Sequence, residues 1–139
     1  MRFLGQYSPK LDEKGRLFLP AKFREQLAEG FVVTRGLDRC LVVWPPAVFD
    51  READKAMSRP LTSKAGRGYA RTFFSGGDEV VPDKQGRIGV NAQLREYAGL
   101  EKECVVIGLR DRLEIWNPTA WEAYSAAEVD AYSELDEDD

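Results

Sequence analysis

The sequence has 139 residues, of which 43% are hydrophobic, and it contains two cysteines, no histidine and a net charge of −4. No apolar run approaches the roughly 18 residues of a membrane span, and the N-terminus lacks a secretory signal, so we expect a cytoplasmic protein without membrane contact. Without histidine, serine–histidine and cysteine–histidine catalysis are excluded and the commonest metal ligand is missing, so we expect no enzyme activity, metal, cofactor or small-molecule substrate.

The first elements form a hairpin followed by a helix. FLGQYSPKL and RLFLP are predicted strands, and DEKG between them is typical of a tight turn. Asp12 at the first turn position caps the backbone two residues on, and Gly15 at the fourth tolerates a positive φ. AKFREQLAEG then carries apolar residues at helical spacing and ends at Gly30.

A second hairpin and another helix follow. Its turn is predicted near Gly36–Asp38, and PPAVFDREADKAM begins with prolines that suit a first helical turn. Cys40 lies in the apolar run RCLVVW and Cys104 in ECVVIG, and neither belongs to a C-x-x-C motif. We interpret both as buried hydrophobic residues in a reducing compartment. Residues 60–73 are interpreted as a helical connector.

The same order of elements then recurs. DEKGRLFLPAKFRE at 12–25 and DKQGRIGVNAQLRE at 83–96 are identical at six of fourteen positions. Later segments also match, with Trp44 meeting Trp116 and Pro46 meeting Pro118. In this copy Asn91 suits a helix cap. The pattern indicates two copies of one unit, at 1–59 and 74–121, followed at 122–139 by a helix end and an acidic disordered tail.

One copy alone leaves sheet edges and an apolar face uncovered. We therefore expect the copies to pair through a pseudo-two-fold, with their strands interleaved into one small barrel with peripheral helices. The predicted fold class is α+β. Both D-x-x-G-R turns should then face the same side.

Charge is unevenly distributed along the chain. The last twelve residues, EVDAYSELDEDD, hold seven acids and no base, and without them the net charge becomes +3. A basic surface is therefore available for an anionic partner despite the acidic total. The basic residues concentrate in an N-terminal group and a middle group: Arg2, Lys10, Lys14, Arg16, Lys22 and Arg24, then Arg51, Lys55, Arg59, Lys64, Arg67 and Arg71.

DEKGR followed by LFLP, a second D-x-x-G-R and W-x-P segments in both copies resemble the MraZ family of bacterial transcriptional regulators. The resemblance covers residues 3–127. It implies an AbrB-like swapped-hairpin fold, a homo-oligomeric ring, and binding to double-stranded DNA at short G-rich direct repeats in the cell's own division and cell-wall promoter, as a repressor located at the nucleoid. The second copy departs from the motif, with Gly89-Val90-Asn91 where the first has Phe18-Leu19-Pro20.

Carried over by position, Arg16 and Arg87 are the predicted base-reading residues, since a guanidinium matches O6 and N7 of guanine. Lysines beside them should contact phosphates. The aspartates and glycines of the two motifs are expected to fix the turns. The phosphate-contacting residues are Lys14, Lys22 and Lys84, and the turn-fixing residues are Asp12, Gly15, Asp83 and Gly86.

Two alternative functions are compatible with parts of this sequence pattern. The first is an antitoxin-like protein-interaction module of the same fold without specific DNA readout, which would show weak salt dependence. The second is an enzyme with Asp12 and Asp83 as a carboxylate dyad. It is disfavoured because both aspartates serve as turn residues and no nucleophile or metal cluster accompanies them. Arg24 and Arg95 recur on helix faces, where an ion pair or a subunit contact fits as well as DNA binding.

Overall fold

The computed structural model describes residues 2–136. Within these residues each copy contributes four strands and two helices in the same order, and one additional helix joins the copies. The first copy consists of β1 (Gln6–Tyr7), β2 (Arg16–Phe18), α1 (Ala21–Leu27), β3 (Phe31–Arg35), β4 (Leu41–Trp44) and α2 (Pro46–Ser58). The connector is α3 (Lys64–Ser75). The second copy consists of β5 (Asp78–Val80), β6 (Arg87–Gly89), α4 (Ala92–Ala98), β7 (Val105–Gly108), β8 (Leu113–Trp116) and α5 (Pro118–Ser133).

The helices begin and end at the capping residues that the sequence contains. Asn91 accepts a hydrogen bond from the Leu94 amide at 2.9 Å, and Gly99 closes α4 in the left-handed conformation. Pro20 precedes the first residue of α1. A 3₁₀ turn at Leu37–Arg39 joins β3 to β4, so the second hairpin of each copy forms as predicted.

The two copies exchange strands. β1 of the first copy pairs with β7 of the second, β5 of the second copy pairs with β3 of the first, and β2 pairs with β6, all antiparallel. The predicted interleaving of the copies is therefore confirmed. It arises because neither copy has enough strand length to satisfy its own backbone groups.

The predicted closed barrel is wrong. The strands form one open six-stranded sheet, in the order β1-β7-β8-β4-β3-β5, and a separate two-stranded ribbon of β2 and β6. The segment before the first turn follows β7, with bridges from Phe3 to Arg110 and from Lys10 to Glu103, instead of pairing with β2. With two or three residues each, β1, β2, β5 and β6 are too short to continue the ladder around a closed cylinder.

The main core lies between the sheet and the layer formed by α1, α4 and the ribbon. Leu17 and Ile88 of the ribbon are 1% and 0% exposed. Phe23 of α1 packs edge-on against Phe3 and Tyr7, with ring centroids 5.1 and 5.4 Å apart. Burial of these side chains fixes the ribbon against the sheet, so the surface residues of the ribbon have a rigid base.

The opposite face of the sheet is covered unequally. Helices α2 and α3 pack over the first copy, where Phe73 contacts Trp44, whose indole N–H donates to the buried Thr34 hydroxyl at 2.8 Å. Of the elements within residues 2–136, α5 alone packs over the second copy, through Trp121 against Trp116. In this described part of the chain, two helices cover one half of the face and one covers the other.

Both cysteines are buried and free. Burial raises the pKa of the Cys104 thiol to about 11, and burial also raises the pKa of the Cys40 thiol. Both thiols thus stay protonated at neutral pH and pack as small hydrophobic groups, as predicted.

Helix α5 is longer than its sequence pattern suggested. It runs to Ser133, so residues 128–133 of the predicted disordered tail are helical. No glycine interrupts the segment, and its only proline is at the helix start. Residues 137–139 of that predicted tail lie outside the described residues. Within residues 2–136, no helix is long and apolar enough to cross a membrane.

Candidate nucleic-acid interface

The first D-x-x-G-R turn is held by one carboxylate. Oδ1 of Asp12 accepts hydrogen bonds from the backbone N–H groups of Lys14 and Arg16, at 2.9 and 3.0 Å. Oδ2 accepts from Nε of the Arg16 side chain at 2.9 Å. Gly15 has φ +75°, and its N–H donates to the Asp12 carbonyl at 3.0 Å. The aspartate therefore fixes both the turn and the orientation of the arginine that follows it.

The second turn repeats this geometry. Oδ1 of Asp83 accepts from the N–H groups of Gln85 and Arg87, both at 2.9 Å, and Oδ2 accepts from Nε of Arg87 at 2.8 Å. Gly86 has φ +83°. Because the two turns match bond for bond, the chain presents two arginines in the same local setting.

The hydrogen bonds have an electrostatic consequence. The Arg16 backbone N–H, followed by the Arg16 side chain, lowers the pKa of Asp12 below its ordinary value, and Arg87 does the same for Asp83. Because their folded-state pKa values are lowered, both carboxylates are fully ionised at every pH above the ordinary aspartate pKa. The stability that they contribute is present at those pH values and is lost as the pH falls through the lowered pKa. At neutral pH both turns are therefore in their charged, hydrogen-bonded form.

We expect Arg16→Ala to raise the pKa of Asp12 only part of the way to its ordinary value. The backbone N–H of residue 16 is the largest cause of the lowering and remains in the variant. Carboxyl-carbon NMR titration of both aspartates checks this, with Asp83 as the internal control. A complete return of Asp12 to the ordinary value would mean that the side chain, not the turn backbone, holds the carboxylate.

The turns lead into the ribbon, whose register decides where the arginines point. Directly opposed residues of an antiparallel pair share a face, and successive residues alternate between faces. The central pair of Leu17 and Ile88 is buried against the sheet. The flanking pairs therefore face outward: Arg16 with Gly89, and Phe18 with Arg87.

We call these four outward residues the reading face. Arg16 and Arg87 are diagonal neighbours on it, so their Cα atoms are roughly 7–8 Å apart. Their side chains are 31% and 24% exposed. Each Nε is bound to its aspartate, and within residues 2–136 neither arginine donates a hydrogen bond from a terminal nitrogen. The two guanidinium groups are thus oriented, partly exposed and on one surface.

The three predicted phosphate-contacting lysines are all exposed. Lys14 and Lys84 lie within the two turns, and Lys22 lies in the first turn of α1, with Nζ 5.7 Å from the Tyr7 ring centre. None of the three forms an ion pair in the part of the chain that the structure describes. The second copy has Gln93 at the position matching Lys22, so the cationic rim is stronger on the first copy's side.

Arg24 and Arg95 are residues whose role the sequence left open. The Arg24 Nε donates to the Leu19 carbonyl at 3.1 Å, and Arg95 Nη1 donates to the Val90 carbonyl at 2.6 Å. Neither forms an ion pair within residues 2–136, so the helix ion-pair interpretation is not supported there. Each supports the end of the strand that leads into its own helix.

The same two arginines also reach across the copies. A β-carbon on Gly15 would overlap the Arg95 guanidinium, and one on Gly86 would lie 3.0 Å from Arg24 Cδ and Nε. The Gly15 carbonyl accepts the Val90 N–H at 2.9 Å. Each turn therefore rests on the helix arginine of the other copy. The recurrence of these arginines in the sequence indicates that both copies use them in the same way. What they contact becomes visible only with the strand exchange between the copies.

Phe18 is a surface residue that the sequence analysis did not single out. It is 48% exposed on the reading face, and the Arg24 guanidinium lies 5.7 Å from its ring centre. Its counterpart Gly89 has open space around it. The reading face is thus asymmetric, because an aromatic ring occupies the first copy's half and the equivalent position in the second copy has no side chain.

Comparison with known proteins agrees with the two-copy organisation. The family model described as "MraZ protein, putative antitoxin-like" matches twice, at residues 2–72 and 73–138. Curated relatives called transcriptional regulator MraZ include those of Nocardioides sp., 60% identical over 137 residues, and Micrococcus luteus, 53% identical over 136 residues. The alignments cover 99% and 98% of this chain and 95% of each relative.

The double match spans nearly all of the chain, and the identities extend over its full length. These relatives are transcriptional regulators. The chain belongs to the MraZ family of transcriptional regulators.

Proposed function

We propose that this regulator binds specific DNA sequences through the reading face of its ribbon. The supporting observation is that Arg16 and Arg87 lie on one exposed surface, each with its guanidinium oriented by an aspartate. A two-stranded ribbon fits the major groove, and a guanidinium fork pairs with O6 and N7 of guanine. Lys14, Lys22 and Lys84 contact flanking phosphates in this arrangement, which adds affinity without sequence choice.

The spacing of the arginines suits two bases separated by one intervening base pair. A separation of roughly 7–8 Å corresponds to about two base-pair steps, since successive pairs rise by about 3.4 Å. Phe18, directly opposite Arg87 in the ribbon, supplies an apolar contact of the kind that recognises a thymine methyl group. We propose short G-rich repeats as the sites, read in one direction because Phe18 and Gly89 make the two halves unequal.

A single chain offers only two base-reading arginines, which is little for a specific site. We propose that the chain assembles into a homo-oligomeric ring that engages several direct repeats at once, so that the effective concentration of neighbouring subunits multiplies the contacts. The target is the promoter of the cell's own division and cell-wall genes, the effect is repression, and the regulator is cytoplasmic and associated with the nucleoid.

Binding to DNA upstream of its own gene tests this function. We expect the purified protein to bind that DNA at least about tenfold more tightly than a scrambled duplex of equal composition, because each base-edge pair contributes about 1–3 kcal/mol. Affinity should fall steeply with salt as counterions are released. Equal affinity for both duplexes, or binding that salt does not weaken, would contradict specific DNA readout and favour the antitoxin-like protein-interaction module.

A further inference from the structure

The middle group of basic residues has no part in the reading face. Residues 51–76 contain six basic side chains and only two acidic ones. Neighbouring carboxylates neutralise two of the six, since Arg51 pairs with Asp111 and Lys55 pairs with Glu52. Within residues 2–136 the other four form no ion pair: Arg59, Lys64, Arg67 and Arg71. Unpaired positive charge therefore collects at the end of α2 and along α3.

Helix α3 presents two of these cations on its outer side. Its buried residues recur at positions 66, 70 and 73, and Phe73 packs against Trp44 of the sheet. Helical periodicity places a second line of residues on the side facing away from the sheet. We call it the outer line of α3, and its four members are all exposed: Lys64, Gly68, Arg71 and Ser75.

The space between the two cations of the outer line is open. A β-carbon on Gly68 would meet no atom within 4 Å. The N-terminal end of the helix is fixed, because Arg67 Nη1 donates to the carbonyls of Leu61 and Thr62, both at 3.1 Å. Lys64 and Arg71 are seven residues apart, which corresponds to about 10 Å along the helix axis.

The outer line lies on the side of the molecule away from the reading face. Val43 belongs to the main core beneath the ribbon, whereas Val42 and Trp44 belong to the cluster beneath α2 and α3. Because successive residues of a strand point to opposite faces, the ribbon and α3 lie on opposite sides of the sheet. A duplex bound to the reading face is therefore out of reach of Lys64 and Arg71.

The composition of the outer line suits a phosphate backbone. Stable protein interfaces depend on buried aromatic or aliphatic anchors, and attachment to a membrane surface requires an apolar helix face beside the cations. Gly68 and Ser75 supply neither. Binding to the DNA backbone requires only cations that neutralise phosphates, and a separation of about 10 Å spans about three base-pair steps.

We propose that the outer line of α3 binds the phosphate backbone of a second DNA duplex while the reading face holds the first. Lys64 and Arg71 contact the phosphates, so the second duplex is held by charge and the first by sequence. One molecule thereby joins two segments of DNA. The inference rests on the proposed function only for the first duplex, because α3 takes no part in the reading face.

Helix α5 limits where the second duplex lies. It covers the other half of the same side of the sheet, and its negative charge repels DNA. Its acidic residues are exposed, and the helix has no basic residue: Glu122, Glu128 and Asp130. The second duplex is therefore confined to α3.

Capture of a second duplex by DNA-bound protein tests the proposal. A biotinylated duplex with the DNA upstream of the protein's own gene is fixed on beads, and full-length protein is added. Unlabelled upstream duplex then fills the remaining reading faces, the beads are washed, and a fluorescent scrambled duplex is added. The wild type should capture it, and its affinity should fall about tenfold to fortyfold between 50 and 200 mM salt, as two or three neutralised phosphates require.

Reversal of the two cations should remove the capture. We expect Lys64→Glu with Arg71→Glu to bind the fluorescent duplex at least about tenfold more weakly, because both phosphate contacts become repulsive. Affinity for the upstream duplex alone, measured by fluorescence anisotropy, should stay within about twofold of the wild type, since the reading face is unchanged.

The controls separate local charge from net charge and from folding. Arg2→Glu with Arg110→Glu changes the net charge by the same amount at exposed positions outside α3 and the reading face, and should capture the second duplex like the wild type. Lys64→Arg with Arg71→Lys keeps both cations and should also capture it. Circular dichroism and thermal unfolding check that every variant is folded.

Three results would overturn the proposal: no capture by the wild type, undiminished capture by the reversal variant, or equal loss in the Arg2 and Arg110 control. Binding of the wild type to phosphatidylglycerol vesicles in place of the second duplex would make a membrane surface the partner and would also overturn it.

Failure of the reading face gives a different result. The wild type would then bind upstream and scrambled duplexes equally well. The affinity of Arg16→Ala with Arg87→Ala for the scrambled duplex would still fall when Lys64 and Arg71 are reversed, because that contact does not use the ribbon.

Discussion

Arg16→Ala is expected to abolish discrimination between operator and scrambled DNA while leaving the folded protein almost as stable as the wild type. Loss of one guanidinium–guanine pair should reduce affinity at a single site by about tenfold to a hundredfold. In the proposed ring on several repeats, the loss would recur at every subunit. The fold should tolerate the change because the Asp12–Arg16 pair lies at the surface, where an ion pair contributes about 0–1 kcal/mol.

Matched substitutions separate base reading from charge. Arg16→Lys keeps the cation but loses the planar fork, so we expect it to retain affinity for scrambled DNA and lose the preference for the operator. Lys22→Ala should instead weaken binding to both duplexes equally and reduce the salt slope by about one. Arg87→Ala should resemble Arg16→Ala, because the ribbon places both arginines in the same setting.

Fluorescence anisotropy against both duplexes, at several salt concentrations, measures affinity and selectivity together. Thermal unfolding of each variant gives the stability. If Arg16→Lys distinguishes the operator as well as the wild type does, the reading face is not the source of specificity. If Arg16→Ala unfolds at a much lower temperature, the arginine has a structural role that its exposure does not indicate.

The repeat in the sequence accounts for most of what could be predicted. Two equivalent D-x-x-G-R turns require a pseudo-two-fold, and a pseudo-two-fold with interleaved strands brings Arg16 and Arg87 to one side. Capping residues such as Asn91 and Gly99 place helix ends because their effect is local. These features depend on short-range chemistry or on symmetry, and both are visible in the sequence.

Other features depend on strand length and long-range contact. The barrel prediction failed because sequence patterns suggest strands but do not reveal that β2 and β6 pair over only three residues and separate from the sheet. The contact between Arg95 and Gly15 joins residues 80 positions apart and follows from strand exchange. The exposure of Phe18 follows from the register of β2 with β6, which the apolar run RLFLP does not specify.

Because Gly15 lies against Arg95 of the other copy, we expect Gly15→Ala to lower the free energy of unfolding more than an ordinary substitution in a surface turn does. Alanine at φ +75° costs about 1–2 kcal/mol. Its β-carbon also displaces the Arg95 guanidinium, which bonds the Val90 carbonyl at 2.6 Å. Loss of that bond adds about 1–2 kcal/mol, so we expect a total decrease of about 2–4 kcal/mol in the free energy of unfolding.

Gly86→Ala is the matched control, since φ is +83° there but the nearest atoms of Arg24, at 3.0 Å, need to shift only slightly and can keep the hydrogen bond to the Leu19 carbonyl. The backbone cost should be the same and the total smaller, about 1–2 kcal/mol. Urea unfolding at one fixed protein concentration measures both, because the proposed assembly would make stability depend on concentration.

The double variant Gly15→Ala with Arg95→Ala separates the backbone cost from the contact. Once the guanidinium is absent, the new methyl group meets no obstacle, so the double variant should lose less stability than the sum of the two single variants, by about 1 kcal/mol or more. Additive losses, with Gly15→Ala no worse than Gly86→Ala, would mean that Arg95 does not support the turn of the other copy. A positive coupling would show that the helix of one copy holds the Arg16 turn of the other in place, and therefore that both units must be folded before Arg16 is positioned on the reading face.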